Sequence, residues 1–109
     1  SIKIVWVLVN CNTAVEAERI GKEALRRRMT GCIDVLPRLA THYFWPPKSG
    51  KMESGKGCLL ILETLPKYVP KVSTLAREMH SDKLPFIGSL EIEHVHPKYV
   101  KWPKGELKG

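Results

Sequence analysis

The sequence predicts an α+β fold in which an antiparallel sheet of four strands carries two helices on one face. The apolar pattern predicts the order β-α-β followed by a second β-α-β, which is typical of the split β-α-β, or ferredoxin-like, arrangement. A chain of 109 residues is long enough for one modest hydrophobic core. We therefore expect residues 1–109 to form a single domain.

The first β-α unit has the clearest pattern. Residues 2–10 are rich in β-branched side chains and almost continuously apolar, which indicates a central strand buried on both faces. Thr13 and Glu16 have the spacing of a capping box and predict the start of a helix. Apolar residues then recur at helical spacing, and we expect Gly31 to end the helix.

The next two strands are predicted to form a hairpin. Residues 32–36 and 39–45 are both strand-like, which indicates one long strand bent at Pro37. Residues 46–57 combine proline, glycine and lysine and are expected to form the hairpin loop. Residues 58–65 are again nearly all apolar and predict the third strand.

The second helix is expected to be capped by Thr64 and to begin near Lys67, because Pro66 and Pro70 fit only into its first turns. Residues 86–93 predict a fourth strand with one solvated face, and residues from Pro97 onward are expected to form a tail. Two helices cover one face of a sheet, yet the first and third strands look apolar on both. Another copy of the chain is the simplest cover for the second face.

The sequence argues against two classes of partner, nucleic acids and membranes. Lys and Arg number 18 against 11 Asp and Glu, for a net charge of +7, which favours a nucleic-acid ligand at first sight. The third strand, however, lacks the aromatic pattern of ferredoxin-like RNA binders. The longest apolar run, residues 4–9, is too short to span a membrane. We expect neither a nucleic-acid nor a membrane partner.

The three cysteines, Cys11, Cys32 and Cys58, are odd in number and form no C-x-x-C pair. A disulfide scaffold or zinc ribbon is therefore disfavoured, and a reducing, cytoplasmic location is expected. The chain begins at Ser1 without a methionine, so the presence of an upstream targeting segment stays open.

The sequence contains only weak motifs for metal binding, nucleophilic catalysis or phosphate binding. His94 and His96 could share one side of a strand, but no third ligand follows at short spacing. Cys11 lies just before a helix, where a thiolate would be stabilised, yet no catalytic base can be assigned, so a hydrolase ranks low. In the lysine-rich loop, Lys56 is followed by glycine instead of the Ser or Thr of a phosphate loop.

Seven segments nevertheless occur together in the order of one known family. They are residues 2–7 with 10–11, 16–20, 31–37, 43–45 with 50–53, 63–64, 80–85 and 97–102. Over nearly its whole length the sequence resembles the CutA family of divalent-cation tolerance proteins. It departs from the family pattern at residues 80–85, where a tyrosine is lost and a charge reversed, and at the extra residues 46–49.

The resemblance implies a homotrimer similar in architecture to the PII signalling proteins, with no required cofactor and no clear enzymatic activity. It also implies ligand sites in clefts between subunits. Copper or another divalent cation is the expected ligand, with Cys32 and His80 as the leading metal ligands and Glu53 as a third. The matching cleft residues are Tyr43, Trp45, Lys51 and Trp102.

A second function stays open from the sequence. A PII-like signalling or interaction trimer could hold a small anionic metabolite in the same cleft, with Lys51 as the charge partner. In that case the link to metal tolerance is indirect.

Overall fold

The computed structural model describes residues 3–108, which form a four-stranded sheet and three helices. The elements in chain order are β1 (Ile4–Cys11), α1 (Ala14–Arg26), β2 (Cys32–Phe44), β3 (Met52–Thr64), α2 (Val69–Met79), β4 (Ile87–Ile92) and α3 (Pro97–Glu106). The strand order is β2-β3-β1-β4 and the three pairings are antiparallel. The predicted ferredoxin-like α+β fold is confirmed.

Strand β1 lies at the centre of the sheet, as its apolar composition predicts. Val7 and Val9 are fully buried against the helices, whereas Trp6 and Leu8 point to the opposite face and are half-buried. Because successive side chains alternate between faces, the run contributes to both. Ile2, where the strand was predicted to begin, lies outside the described residues.

Helix α1 begins as predicted and ends earlier than predicted. The Thr13 hydroxyl accepts a hydrogen bond from the Glu16 N–H at 3.0 Å. The helix ends at Arg26, and Arg28 takes a left-handed conformation with φ of 58°. The Met29 N–H then bonds back to Ala24, so the prediction that Gly31 ends the helix was wrong.

The β2–β3 hairpin is longer than the sequence indicates. β3 begins at Met52 instead of residue 58, so the predicted loop over residues 46–57 was wrong in its second half. Pro37 lies within β2, an edge strand where proline is tolerated, and the irregularity falls between Arg38 and Thr41. A Cβ on Gly57 would lie 2.5 Å from the Cys11 carbonyl oxygen, which explains a glycine inside the strand.

The entry to α2 differs from the predicted cap. The Thr64 hydroxyl donates to the Met29 carbonyl at 2.7 Å and caps no helix. A short 3-10 turn over Pro66–Tyr68 leads into α2, and Pro70 occupies the first turn of α2, where its missing N–H costs nothing.

The predicted tail is a helix, α3. The His96 ring accepts a hydrogen bond from the Lys98 N–H at 3.2 Å and caps its first turn. Pro103 and Leu107 are buried at its end. The sequence prediction missed this helix because its prolines and sparse apolar residues hide the helical period.

Helices α1 and α2 cover one face of the sheet and leave most of the other uncovered. The core between helices and sheet contains fully buried side chains, among them Ile20, Leu60 and Val72. On the second face α3 contacts one end of the sheet, while Leu36 and Leu90 remain 43% and 44% exposed.

Candidate functional site

Three buried side chains with metal-ligating atoms converge where β1 leads into α1. Cys11 ends β1, Glu16 lies in the first turn of α1, and His80 follows the last residue of α2. Their ligand atoms all lie within 4.8 Å of one another. Each residue is at most 9% exposed. We call these three residues the buried triad.

The Glu16 carboxylate is held by backbone donors. Its Oε1 accepts from the Asn12 N–H at 2.9 Å, and its Oε2 accepts from the Ser81 N–H at 2.8 Å. Burial alone would raise the pKa of Glu16, but hydrogen bonds from Ser81 and Asn12, with the nearby His80, together bring this pKa below its usual value. The triad therefore contains a carboxylate that is ionised at neutral pH.

The His80 ring bridges β1 and the loop after α2. Its Nδ1 accepts from the Asp82 N–H at 3.0 Å, so the proton belongs on Nε2. Nε2 lies 2.6 Å from the Asn10 carbonyl, to which it donates, and 3.8 Å from Glu16 Oε1. The ring edge that carries Nε2 therefore faces both a backbone carbonyl and the Glu16 carboxylate.

Cys11 is an unreactive thiol in this environment. Burial, followed by the negative charge of Glu16 and the neighbouring Cys58, raises the pKa of Cys11 to about 12. These effects outweigh the stabilisation that a helix N-terminus gives to a thiolate. Because the thiol stays protonated at neutral pH, the geometry gives no support to Cys11 as a catalytic nucleophile.

The donor types of the triad are ones that transition-metal ions such as zinc and copper accept. Thiolate, imidazole and carboxylate all ligate copper, the thiolate favouring Cu⁺. Three ligand atoms placed evenly around one ion at about 2.0–2.3 Å are about 3.5–4.0 Å apart. To hold an ion, the triad must therefore close from its present spacing, and His80 must release one of its two backbone hydrogen bonds. A bound cation would offset the charge of Glu16 and favour the thiolate of Cys11, reversing the present pKa shift.

A second polar cluster lies on the opposite face of the sheet, around Glu63. Tyr99 donates to Glu63 Oε1 at 2.5 Å, and the indole N–H of Trp6 donates to Oε2 at 2.9 Å. The bond to Glu63, followed by burial, raises the pKa of Tyr99 to about 12. Trp102 lies against Tyr99 with ring centroids 5.9 Å apart. This cluster anchors α3 to the sheet.

Cys32 is placed beside the Glu63 cluster. It pairs with Glu63 across β2 and β3 and is partly exposed. Burial, followed by the charges of Asp34 and Glu63, raises the pKa of Cys32. No catalytic role as a nucleophile is supported for this thiol either.

The outer end of the β2–β3 hairpin carries the other predicted site residues. Tyr43 pairs with Glu53 across the strands, and the Trp45 N–H donates to the Lys51 carbonyl at 2.9 Å. Lys51 Nζ lies 3.3 Å from Glu53 Oε1. Tyr43 and Trp45 are about half exposed. The charge of Lys51 is therefore matched within the hairpin.

A single subunit does not bring Cys32, His80 and Glu53 together. Cys32 pairs with Glu63, whereas Asn10, which His80 contacts, pairs with Leu59, four residues or about 13 Å away along β3. Glu53 lies farther out on the hairpin. These three could share an ion only across different copies of the chain.

The sequence reasoning missed two of the three residues that do converge. Glu16 was recognised only as part of a capping box, and Cys11 only as a thiol beside a helix. Their shared position at the β1–α1 junction was the available signal, because residues five apart at such a turn can face one another. Their approach to His80 depends on how α2 packs and has no local signal.

Comparison with known proteins identifies the family to which this chain belongs. The family described as CutA1 divalent ion tolerance protein matches residues 5–106. The chain belongs to the CutA1 family. The Protein CutA homolog of Danio rerio is 30% identical over 96 residues, which are 88% of this chain and 62% of that protein. The Divalent-cation tolerance protein CutA of Archaeoglobus fulgidus is 25% identical, over 89% of this chain and 91% of that one.

Solved CutA structures share the fold. The Periplasmic divalent cation tolerance protein CutA from Archaeoglobus fulgidus superposes with a TM-score of 0.88 at 23% identity, covering 96% of this chain and 99% of that one. CutA1 from Oryza sativa superposes with a TM-score of 0.89 at 19% identity, covering 99% and 96%.

The chain spans about 50–60% of the length of the animal CutA proteins it matches, such as those of Xenopus laevis and Mus musculus. In residues 3–108, none of the helices has the length and apolar character needed to cross a membrane.

Proposed function

We propose that this CutA1-family chain acts in divalent-cation tolerance as a non-enzymatic homotrimer that binds copper. The observation that carries the proposal is the buried triad, which brings one thiol, one imidazole and one carboxylate within 4.8 Å. The names of related proteins describe tolerance of divalent cations and no reaction. The two protonated thiols, Cys11 and Cys32, also argue against catalysis by a cysteine.

His80 is the one ligand that this proposal shares with the sequence prediction. Its partners within a subunit are Cys11 and Glu16. Cys32 and Glu53 enter a copper site only if neighbouring copies of the chain bring them together, as in the inter-subunit cleft that the family resemblance implies. The two ligand sets give different outcomes on mutation.

The uncovered sheet face supports assembly with other copies. Leu36 and Leu90 are exposed there. On the outer hairpin Leu39, Phe44 and Met52 are 83%, 68% and 65% exposed, and the strand register places the Phe44–Met52 pair on the opposite face. Exposed apolar side chains in such number are typical of a protein interface. Within residues 3–108 the Nε of Arg38 is buried without a hydrogen-bond partner, which an acceptor from another copy would satisfy. The number three comes from the family resemblance.

The alternative function, a signalling trimer that binds an anion through Lys51, has less support. Lys51 already forms an ion pair with Glu53 at the outer end of the hairpin. An anion there would compete with that carboxylate.

Copper titration of matched variants tests the metal site. We expect Cys11→Ser and His80→Gln to weaken Cu⁺ binding at least tenfold under anaerobic conditions, as measured by competition with a chromogenic chelator. The controls are Cys32→Ser, which removes the one partly exposed thiol of the three cysteines, and His94→Ala, which removes an exposed histidine. Circular dichroism verifies that each variant is folded.

The outcomes separate the two ligand sets. If Cys32→Ser and Glu53→Gln weaken binding while Cys11→Ser does not, the copper site lies in the inter-subunit cleft and the triad is structural. If no variant changes the affinity, both sites are rejected. Light scattering tests the assembly separately: a mass other than three times 12.4 kDa contradicts the homotrimer.

A further inference from the structure

A pocket of about 370 Å³ lies between α3 and the sheet, at the start of β1 and the end of β4. Apolar side chains from all three elements line it, namely Ile4, Ile92 and Val100. Its volume falls near the lower end of the range for small-molecule sites, roughly 300–1,000 Å³. None of the copper ligands proposed above lines this pocket.

Three lysines surround the same pocket. Lys3 directly precedes β1, and Lys101 and Lys104 lie three residues apart on α3, on the same side of the helix. The charged lining contains one carboxylate, that of Glu93. The pocket therefore has more positive than negative groups around an apolar interior.

These lysines differ from the basic residues on α1. Lys22 is paired with Glu18, and Arg26 and Arg27 are both paired with Glu23. Within residues 3–108, by contrast, Lys3, Lys101 and Lys104 form no ion pair. Like charges that converge on one cavity repel each other, and an anion in the cavity relieves that repulsion.

Helix α3, which carries Lys101 and Lys104, is held against the rest of the fold by contacts at both ends. Tyr99 binds Glu63 on β3, and Glu106 forms an ion pair with Arg28 at 3.1 Å. Leu107, just beyond the helix, is 6% exposed and belongs to the hydrophobic core. Because α3 is held at both ends, the pocket is largely formed before any ligand enters, which lowers the entropic cost of binding.

We infer that this pocket binds a small amphipathic anion: a monocarboxylate whose apolar body contacts Ile4, Ile92 and Val100 and whose carboxylate lies among the three lysines. The apolar lining selects against small hydrophilic anions such as sulfate, and the lysines select against neutral or cationic molecules of the same size. This ligand class goes beyond metal tolerance and does not depend on it.

Calorimetry with octanoate tests the inference on the assembled protein, below the concentration at which octanoate forms micelles. Octanamide is the matched neutral probe. We expect octanoate to bind, octanamide to bind at least tenfold more weakly, and the Lys101→Gln/Lys104→Gln variant to lose at least tenfold in octanoate affinity. The charge-matched control is Lys48→Gln/Lys56→Gln, two exposed lysines outside the pocket, which should keep the wild-type affinity.

Four results would overturn the inference. Equal binding of octanoate and octanamide shows a purely apolar cavity. An equal loss in both lysine pairs shows a general charge effect. If octanoate does not bind at millimolar concentration, the site is excluded. The same holds if a neighbouring copy of the chain fills the pocket. Unchanged octanoate affinity in Lys101→Gln/Lys104→Gln shows that the ligand binds elsewhere. Copper affinity is expected to be unchanged in this variant, so the two proposals fail independently.

Discussion

The two faces of the sheet are built from the same strands but differ in how far their side chains are buried. On the helix-covered face Leu60 and Leu62 are fully buried within the chain. On the other face, Leu36 and Leu90 stay more than 40% exposed. The difference lies in where α1 and α2 dock. One chain completes the core beneath the helices and leaves apolar side chains exposed on the second face. If the proposed assembly covers that face, folding and assembly depend on separate sets of residues.

The largest effect is expected for a core residue on the helix-covered face. Leu60→Ala should lower the free energy of unfolding by about 2–5 kcal/mol, because it removes buried methyl groups and leaves a cavity. Leu59→Ala, the adjacent residue on the second face, is the matched control and should cost the isolated chain less. Urea denaturation at several protein concentrations measures both. Equal losses of unfolding free energy in the two variants would show that the two faces contribute equally to the stability of the chain.

Next in size is the loss of the Glu16 carboxylate. Glu16→Ala leaves the N–H groups of Asn12 and Ser81 without their acceptor, at a cost of about 1–3 kcal/mol. Since the pKa of Glu16 is lowered in the folded state, its ionised form stabilises the protein above the ordinary carboxyl value of 4.5, and this contribution is lost as the pH falls through the lowered pKa.

Unfolding experiments between pH 7 and pH 3 test this assignment. The wild type should lose more stability on acidification than Glu16→Gln does. Glu18→Gln, which alters an exposed carboxylate in the same helix, serves as the control and should follow the wild-type profile. Parallel profiles for wild type and Glu16→Gln would show that Glu16 makes no special contribution.

A smaller effect, on assembly alone, is expected from the second face. Leu36→Lys combined with Leu90→Lys should raise the dissociation constant of the assembly at least tenfold, or about 1.4 kcal/mol, because charges would be buried at the interface. The folded chain should keep its circular dichroism spectrum. Val15→Lys, at a 74% exposed position on α1, should leave the mass by light scattering unchanged. Unfolding of the double variant would place these leucines in the core of the subunit.

The smallest effect is expected at the start of α1. Thr13→Ala removes the acceptor for the Glu16 N–H and should cost about 1 kcal/mol. Thr13→Ser keeps the hydroxyl and should restore most of that stability in thermal unfolding. If serine does no better than alanine, the cap is not what Thr13 contributes.

Local patterns predicted the elements whose causes are local. The order of β1 to β4 with α1 and α2, the Thr13 cap and the central position of β1 all follow from short-range periodicity and side-chain chemistry. The expected burial of β1 on both faces was wrong for the second face, where Trp6 and Leu8 are half-buried. The extent of β3 did not, because Gly55 and Gly57 are typical of turns and their place in a strand depends on pairing with β2. Helix α3 was missed for a related reason: its position is fixed by the contact of Tyr99 with Glu63, which are distant in sequence.

The candidate site was predicted in part. His80 was selected through the family resemblance, and the structure buries it beside Glu16 and Cys11. The location of Cys32 and Glu53 in other parts of the subunit could not be predicted without the strand register. The pocket beside α3 had no sequence signal, because it depends on the docking of a helix that the sequence did not reveal.

The central position of β1 has a consequence for the order of folding. Of the four strands in residues 3–108, β1 is synthesised first, and both strands that it pairs with there, β3 and β4, come later in the chain. Whereas β2 and β3 can form a hairpin from adjacent sequence, the residues that pair with β1 follow it by between 58 − 11 = 47 and 92 − 4 = 88 positions in the chain. During synthesis its valines therefore remain exposed longest, which makes β1 the segment most dependent on protection from aggregation.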